Sequence, residues 1–219
     1  LGEQKHLSVN WVNGMKVSSQ NFVEMENWVH DRVKDVNGMQ LTDYNYGLLA
    51  PAHPDKQSLE LDTSMDQVGQ LNLKLYECRA ITRGGHRIEI TRSLSQQQNL
   101  ALDFLHHEFN LENAPNQQFD IIISVNPFKR IPVGNAAPQE TPFRPPFVIP
   151  EYKLDIIPAD QSMSSNFWFN HLVIGKFQVI SGEVNFFAEY VPPATSLNAH
   201  PLLIRHHREF STRLDQLGR

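Results

Sequence analysis

Apolar residues recur along the chain with two different periods, and the change of period marks out its elements. Phe22, Met25, Val29 and Val33 step by three and four, the spacing that lines one face of an α-helix. Ser18-Ser19 stand ahead of them, Asn21 and Glu24 offer a capping pair, and Asn37-Gly38 offer a left-handed stop. The spacing therefore predicts a helix from about Ser19 to Val36. From Tyr44 onward the period falls to two. Leu59 and Leu61, then Leu71, Leu73 and Leu75, each alternate with a polar residue, as in strands with one buried face.

Turn residues join such runs. Gly84-Gly85 lie between Ala80–Thr82 and Ile88–Ile90, and two glycines free to adopt positive φ predict a two-residue hairpin turn. Phe119–Val125, Tyr152–Ile157, His171–Ile180 and Glu183–Tyr190 read as further strands, the last two joined through Ser181-Gly182. Ser95–Phe109 fits either period: Leu100, Phe104 and Leu105 suit a helix, whereas Leu100, Leu102 and Phe104 alternate. The helical reading is favoured. Between Pro127 and Pro150 lie seven of the chain's fourteen prolines, which deny a ladder its donors. This segment is expected to be a long extended loop or an arm toward a neighbour, with a disordered linker as the alternative.

After Pro192-Pro193, Pro201 opens a second helix running to about Leu217. Leu203, His207, Phe210, Leu214 and Leu217 step by four and three, the spacing of a coiled-coil seam over two heptads. A terminal helix packing on its own domain would read the same way. The pattern as a whole predicts a mainly β fold, a β-sandwich with a helix near each end.

Composition narrows the class. The chain has 219 residues, 40% of them hydrophobic and 20% charged, as expected of a folded domain. A net charge of -5 with scattered Lys and Arg argues against a nucleic-acid surface. No apolar run is long enough to span a bilayer, so direct membrane insertion is not expected. With one cysteine, Cys78, no intrachain disulfide is possible, and a reducing cytoplasm is the simplest home. The chain starts at Leu1 and stops inside its last helix, so it is expected to be a piece of a longer protein.

Candidate chemistry is sparse. The ten histidines include the pairs His106-His107 and His206-His207, but adjacent imidazoles fit no common metal site. His200 with the following helix could supply two ligands and lacks a carboxylate. No serine sits in a nucleophile elbow, no phosphate-cradling glycine loop occurs, and Cys78 lies in an alternating strand pattern without a local activating residue. Asp62 and Asp66 form the kind of acidic pair that nearly every domain offers. No enzyme, metal or cofactor is expected. Trp11, Phe22 and Trp28, and the run Phe167-Trp168-Phe169, are the stronger signal, because consecutive rings on a strand cannot all point inward.

Both ends of the sequence resemble one family. Trp11-Val12-Asn13-Gly14-Met15, then Val17, Gln20 and Phe22, are similar to the opening of TssK proteins, subunits of the type VI secretion baseplate. Tyr46-Gly47-Leu48 is similar to the family's Tyr-Gly-Leu strand, Leu172–Phe177 to its penultimate strand, and Tyr190-Val191-Pro192-Pro193 to its Tyr-Ile-Pro-Pro. Ala199-His200-Pro201-Leu202 then enters a helix as in the family. Asn21 and Val23 depart from the family's histidine and glutamine, and the resemblance does not extend to Ser93–Pro150.

The resemblance implies a sandwich like the shoulder of phage receptor-binding proteins over residues 1–195, which docks on the wedge of TssF and TssG. It further implies that residues 196–219 begin a helical neck through which three copies associate. A missing carboxy-terminal head would meet the membrane complex, placing the protein in the cytoplasm at the inner membrane. On this reading Trp11, Gly14, Met15, Gln20 and Phe22 are the wedge contacts, and Leu203, His207, Phe210, Leu214 and Leu217 the self-association contacts. Two other readings stand beside it: a carbohydrate-binding or adhesin-like sandwich with exposed aromatics, and a hydrolase whose site is assembled only by the fold.

Overall fold

The computed structural model describes residues 5–67, 69–97, 105–112, 114–161 and 169–217. Two antiparallel sheets pack face to face, with a helix before them and a helix after them. The first sheet is organised around β3 (Gln70–Ile81), whose length is divided among four partners. One of its edges pairs with β1 (Gly47–Leu48) and β2 (Leu59–Met65), and the other with β4 (Arg87–Ile90) and β5 (Leu105–Asn110). The second sheet runs in the order β7 (Phe147–Pro158), β6 (Gln118–Val133), β8 (His171–Ile180), β9 (Glu183–Phe186).

The alternation of β3 works as its period requires. Leu71, Leu73 and Leu75 are fully buried, and with Phe119, Ile121 and Ile123 of β6 and Leu172, Phe177 and Val179 of β8 they form one core. Phe119 and Phe177 stack at 5.3 Å, and Phe109 of β5 meets Phe119 edge-on at 5.1 Å, so the aromatic part of the core ties both sheets together. Complete burial of each such side chain contributes about 1.5–3 kcal/mol.

Four expectations about the sheets change. The first concerns Ser95–Phe109. A short helix, α2 (Arg92–Gln97), covers the start of that segment, but Leu105–Phe109 lies in β5, and residues 98–104 fall outside the described ones. Residues Gln70–Leu75 of β3 leave an open ladder edge, and a second strand satisfies it where a helix could not. The second concerns Pro127–Pro150, which is neither a structureless loop nor a linker. β6 and β7 continue as a hairpin through Val133 and Phe147, leaving only residues 134–146 as its tip. Pro127 lacks a donor, the pairing slips between Asn126 and Arg130, and it then resumes. Beyond Val125 the strand is paired by β7 alone, so Pro132 sits at an edge, where proline is tolerated.

The third concerns the Gly84-Gly85 turn. It spans Thr82–His86, with Thr82 N–H bonded to the His86 carbonyl at 2.9 Å, and only Gly85 has positive φ. Gly84 is needed for space instead, because a Cβ there would lie 2.2 Å from the Phe169 carbonyl oxygen. The final predicted strand is also shorter, ending at Phe186, after which the chain turns toward Tyr190.

Candidate docking surfaces

The first helix, α1, spans Ser19–Gln40. Its start is held by Ser18 and Asn21: the Asn21 Oδ1 accepts the Ser18 N–H at 2.8 Å and the Ser18 hydroxyl at 3.0 Å. Glu24, expected to pair with Asn21, instead accepts from Gln20 at 2.6 Å. Nor does Asn37-Gly38 stop the helix. The Asn37 amide is drawn sideways to the Gly85 carbonyl at 3.0 Å, and the helix continues three residues past Asn37 until Leu41 caps it.

The helix is oriented against its own pattern. Its buried residues are Asn27 and Asp31, both polar, while Phe22, Met25, Val29, Val33 and Val36 are exposed, Phe22 at 51% and Val33 at 52%. A helix on a soluble body normally turns its apolar stripe inward. Here the polar stripe is inside. Asp31 accepts from the Lys5 N–H at 3.0 Å, the His6 N–H at 2.8 Å and the His6 Nδ1 at 3.0 Å, with Lys34 at 3.7 Å. Burial would push this carboxyl up, but the two backbone donors, the His6 ring and Lys34 together outweigh burial and hold it below the usual carboxylate range. Arg130, on the extended hairpin, pairs with Glu26 and donates to Asn27 Oδ1 at 3.1 Å and to the Val23 carbonyl at 3.4 Å.

The predicted wedge contacts lie around this stripe. Trp11 is 47% exposed and its ring lies 6.2 Å from that of Phe22, so these two form one cluster. Gly14, in a turn with φ of 81°, is exposed; Met15 is half-buried with its N–H on the Val12 carbonyl, and Gln20 is exposed. Met25, Val29, Val33 and Val36 extend the cluster along the helix. Periodicity identified most of them as sharing a face, but nothing in the sequence said that the face points outward. Of Phe167-Trp168-Phe169, the first two lie outside the described residues, and Phe169 is exposed.

At the other end, α3 (Pro201–Leu217) has no buried residue. Leu203 is half-buried, His207 is exposed, and Phe210, Leu214 and Leu217 are exposed at 62%, 52% and 84%. The seam is therefore partly covered at Leu203 and open from Phe210 to Leu217. The start of α3 is fixed by motifs far apart in sequence: Leu48 N–H donates to the Pro193 carbonyl at 2.7 Å, and Thr195 N–H to the Leu48 carbonyl at 2.8 Å. Beside this clamp the buried Asp120 pairs with Lys176 at 3.1 Å, and Lys176 lies over the Tyr190 ring at 5.3 Å.

The candidate reactive groups are quiet. Burial pushes the Cys78 thiol up to about 12, so it stays protonated at neutral pH. Burial, with Lys34 and His30 nearby, lowers His86 to about 4 and keeps its ring neutral. Among the described residues, no three His, Cys, Asp or Glu side chains gather where they could hold a metal, and no helix is long and apolar enough to cross a membrane.

Taken together, fold and surfaces define an antiparallel two-sheet protein flanked by two helices that turn their apolar faces to solvent. No family model matches the sequence, and no curated protein matches it. Solved structures do. A crystal structure of TssK matches with a TM-score of 0.57 at 13% identity, over 95% of this chain and 47% of that one. The baseplate complex from the type VI secretion system matches with a TM-score of 0.61 at 16% identity, over 97% and 67%. The TssK-TssF-TssG baseplate subcomplex, seen by cryo-electron microscopy, matches with a TM-score of 0.59 at 17% identity, over 97% and 70%. The fold of this chain is that of TssK, as the motifs at both ends implied, and the chain spans about half of the crystallised TssK.

Proposed function

We propose that this chain is the shoulder-like, wedge-docking part of a type VI secretion baseplate subunit. The observation that carries the reading is the outward apolar stripe of α1 with Trp11, on a fold shared with TssK. Contiguous exposed apolar surface of this kind marks a protein interface, and rigid aromatic anchors such as Trp11 and Phe22 contribute most where they are desolvated. One of the similar structures contains TssF and TssG, and these are the proposed partners. In this reading Trp11, Gly14, Met15, Gln20 and Phe22 contribute to the wedge contact.

The seam on α3 serves self-association into a trimer, and a carboxy-terminal region beyond it links the baseplate to the membrane complex. The protein then works in the cytoplasm, against the inner face of the inner membrane. Its role is structural, without catalysis or cofactor.

Co-purification with a TssF–TssG wedge tests the reading. Wild-type chain is expected to be retained, and Trp11→Ala and Phe22→Ala each to lower affinity by about 2 kcal/mol or more, roughly 30-fold. Full retention of both folded variants would remove these anchors from the proposal. For the seam, a cysteine at Leu214 is expected to crosslink between copies under mild oxidation, and a chain that stays uncrosslinked at high concentration would sink that part.

A further inference from the structure

Alpha helices of globular proteins draw most of their stability from a buried apolar face, because an isolated helix of this length is marginal in water. In α1 that source is missing: among its 22 residues the buried ones are Asn27 and Asp31, and no apolar side chain is buried. Its polar anchors gather at three places, beside the half-buried Val23 and Trp28. Asp31 gathers Lys5, His6 and Lys34; Arg130 reaches Glu26, Asn27 and the Val23 carbonyl; and Asn37 reaches Gly85. Two of these anchors are incompletely satisfied, since the buried Asp31 Oδ1 and Arg130 Nε have no hydrogen-bond partner among the described residues. A cleft of about 670 Å³ is lined by Lys5 of the strap and Lys34 of the helix together with Ser124, Lys153 and His171 of the second sheet. The sheets, by contrast, share a core with fully buried leucines, isoleucines and phenylalanine.

We propose that the strap Lys5–Val17 and α1 form one detachable unit, latched to the sheets by Asp31 and Arg130, which releases while both sheets stay folded. Asp31 is the centre of the latch because one carboxylate joins the strap to the helix, and Arg130 joins the helix to the β6–β7 hairpin. Opening needs no disruption of the core, so its free energy lies below that of global unfolding. Release also dismantles the outward stripe, whose residues share a face only while α1 is helical. The latch therefore controls whether the proposed docking surface exists, but its own existence does not depend on what docks there.

Hydrogen exchange read by mass spectrometry on the chain alone tests this. In the wild type, amides of Val23–Gln40 are expected to exchange faster than those of β3, β6 and β8. Asp31→Ala and Arg130→Ala are expected to raise α1 exchange by a further ~tenfold or more, as loss of hydrogen bonds to a charged group would, leaving the sheets unchanged. Asp31→Asn keeps the shape and removes the charge, and should move α1 in the same direction. Equal protection of α1 and the sheets in the wild type, no change of α1 in the variants, or a rise in every element together would each overturn the proposal. Because no partner enters the assay, failure of the wedge to bind would leave its outcome intact.

Discussion

Gly47→Ala is the single-atom-scale perturbation that bears most directly on how α3 is rooted. Gly47 has φ of 110°, and a Cβ at that position would lie 1.9 Å from the Pro193 carbonyl oxygen, which accepts the Leu48 N–H at 2.7 Å. The chain must move, and what moves is the clamp that also includes the Thr195 N–H on the Leu48 carbonyl at 2.8 Å. Backbone strain for a non-glycine residue in this region costs about 1–3 kcal/mol. Losing two buried hydrogen bonds adds about 0.5–1.5 kcal/mol each. The expected destabilisation is about 2–6 kcal/mol, equivalent for a chain of this size to a fall of roughly 4–24 °C in Tm. Circular dichroism melting and urea titration measure it. Gly182→Ala is the control, because Gly182 also has positive φ, 81°, but nothing within 4 Å of its would-be Cβ. It isolates backbone strain from collision. If both variants lose the same stability, the clamp is not what Gly47 serves.

Further outcomes follow from the core and the buried groups. Leu73→Ala removes a fully buried side chain between the sheets and should cost about 2–5 kcal/mol by urea unfolding. Because the Asp31 carboxyl sits below the usual range, its stabilisation should be fully present above about pH 3.9 and disappear as pH falls through the lower folded value. The stability gap between wild type and Asp31→Asn, measured across that window, should close toward acid, and a gap that widened would contradict the latch geometry. Cys78, buried with its thiol near 12, should resist thiol reagents at pH 8 until the chain is unfolded.

Much of the scaffold could be read from residues alone. The alternation through Leu71, Leu73 and Leu75, the β3–β4 hairpin around Gly84-Gly85 and the helix opening at Pro201 are local patterns, and each appears in the fold. What could not be read depends on neighbours. Leu105–Phe109 is a strand because β3 offers it an open edge at Leu71–Leu75, far upstream in the sequence. Pro132 and Pro150 belong to a hairpin because their side of the ladder is unpartnered, which composition cannot reveal. For α1, periodicity tells which residues share a face but not which face turns in. Asn27, Asp31 and Lys34 form a stripe of their own, and only the arrival of Arg130 and of Lys5–His6 from elsewhere in the chain selects it as the inner one.

Tyr46-Gly47-Leu48 and Pro192-Pro193 illustrate a second lesson. As family-like motifs they could have been docking residues. In the structure they bond to each other and set the base of α3, so their role is to position an interface element.

The central claim is that the outward stripe of α1 is a docking surface, and a binding measurement with one substitution in its middle tests it most directly. Val29 is 45% exposed and Phe143, on the hairpin tip, is 74% exposed, so Val29→Asp and Phe143→Asp should both leave folding within about 0.5 kcal/mol of wild type. Against an immobilised TssF–TssG wedge, the account predicts that Val29→Asp weakens binding by about 100-fold or more while Phe143→Asp binds as wild type does. Undiminished binding by folded Val29→Asp would contradict it.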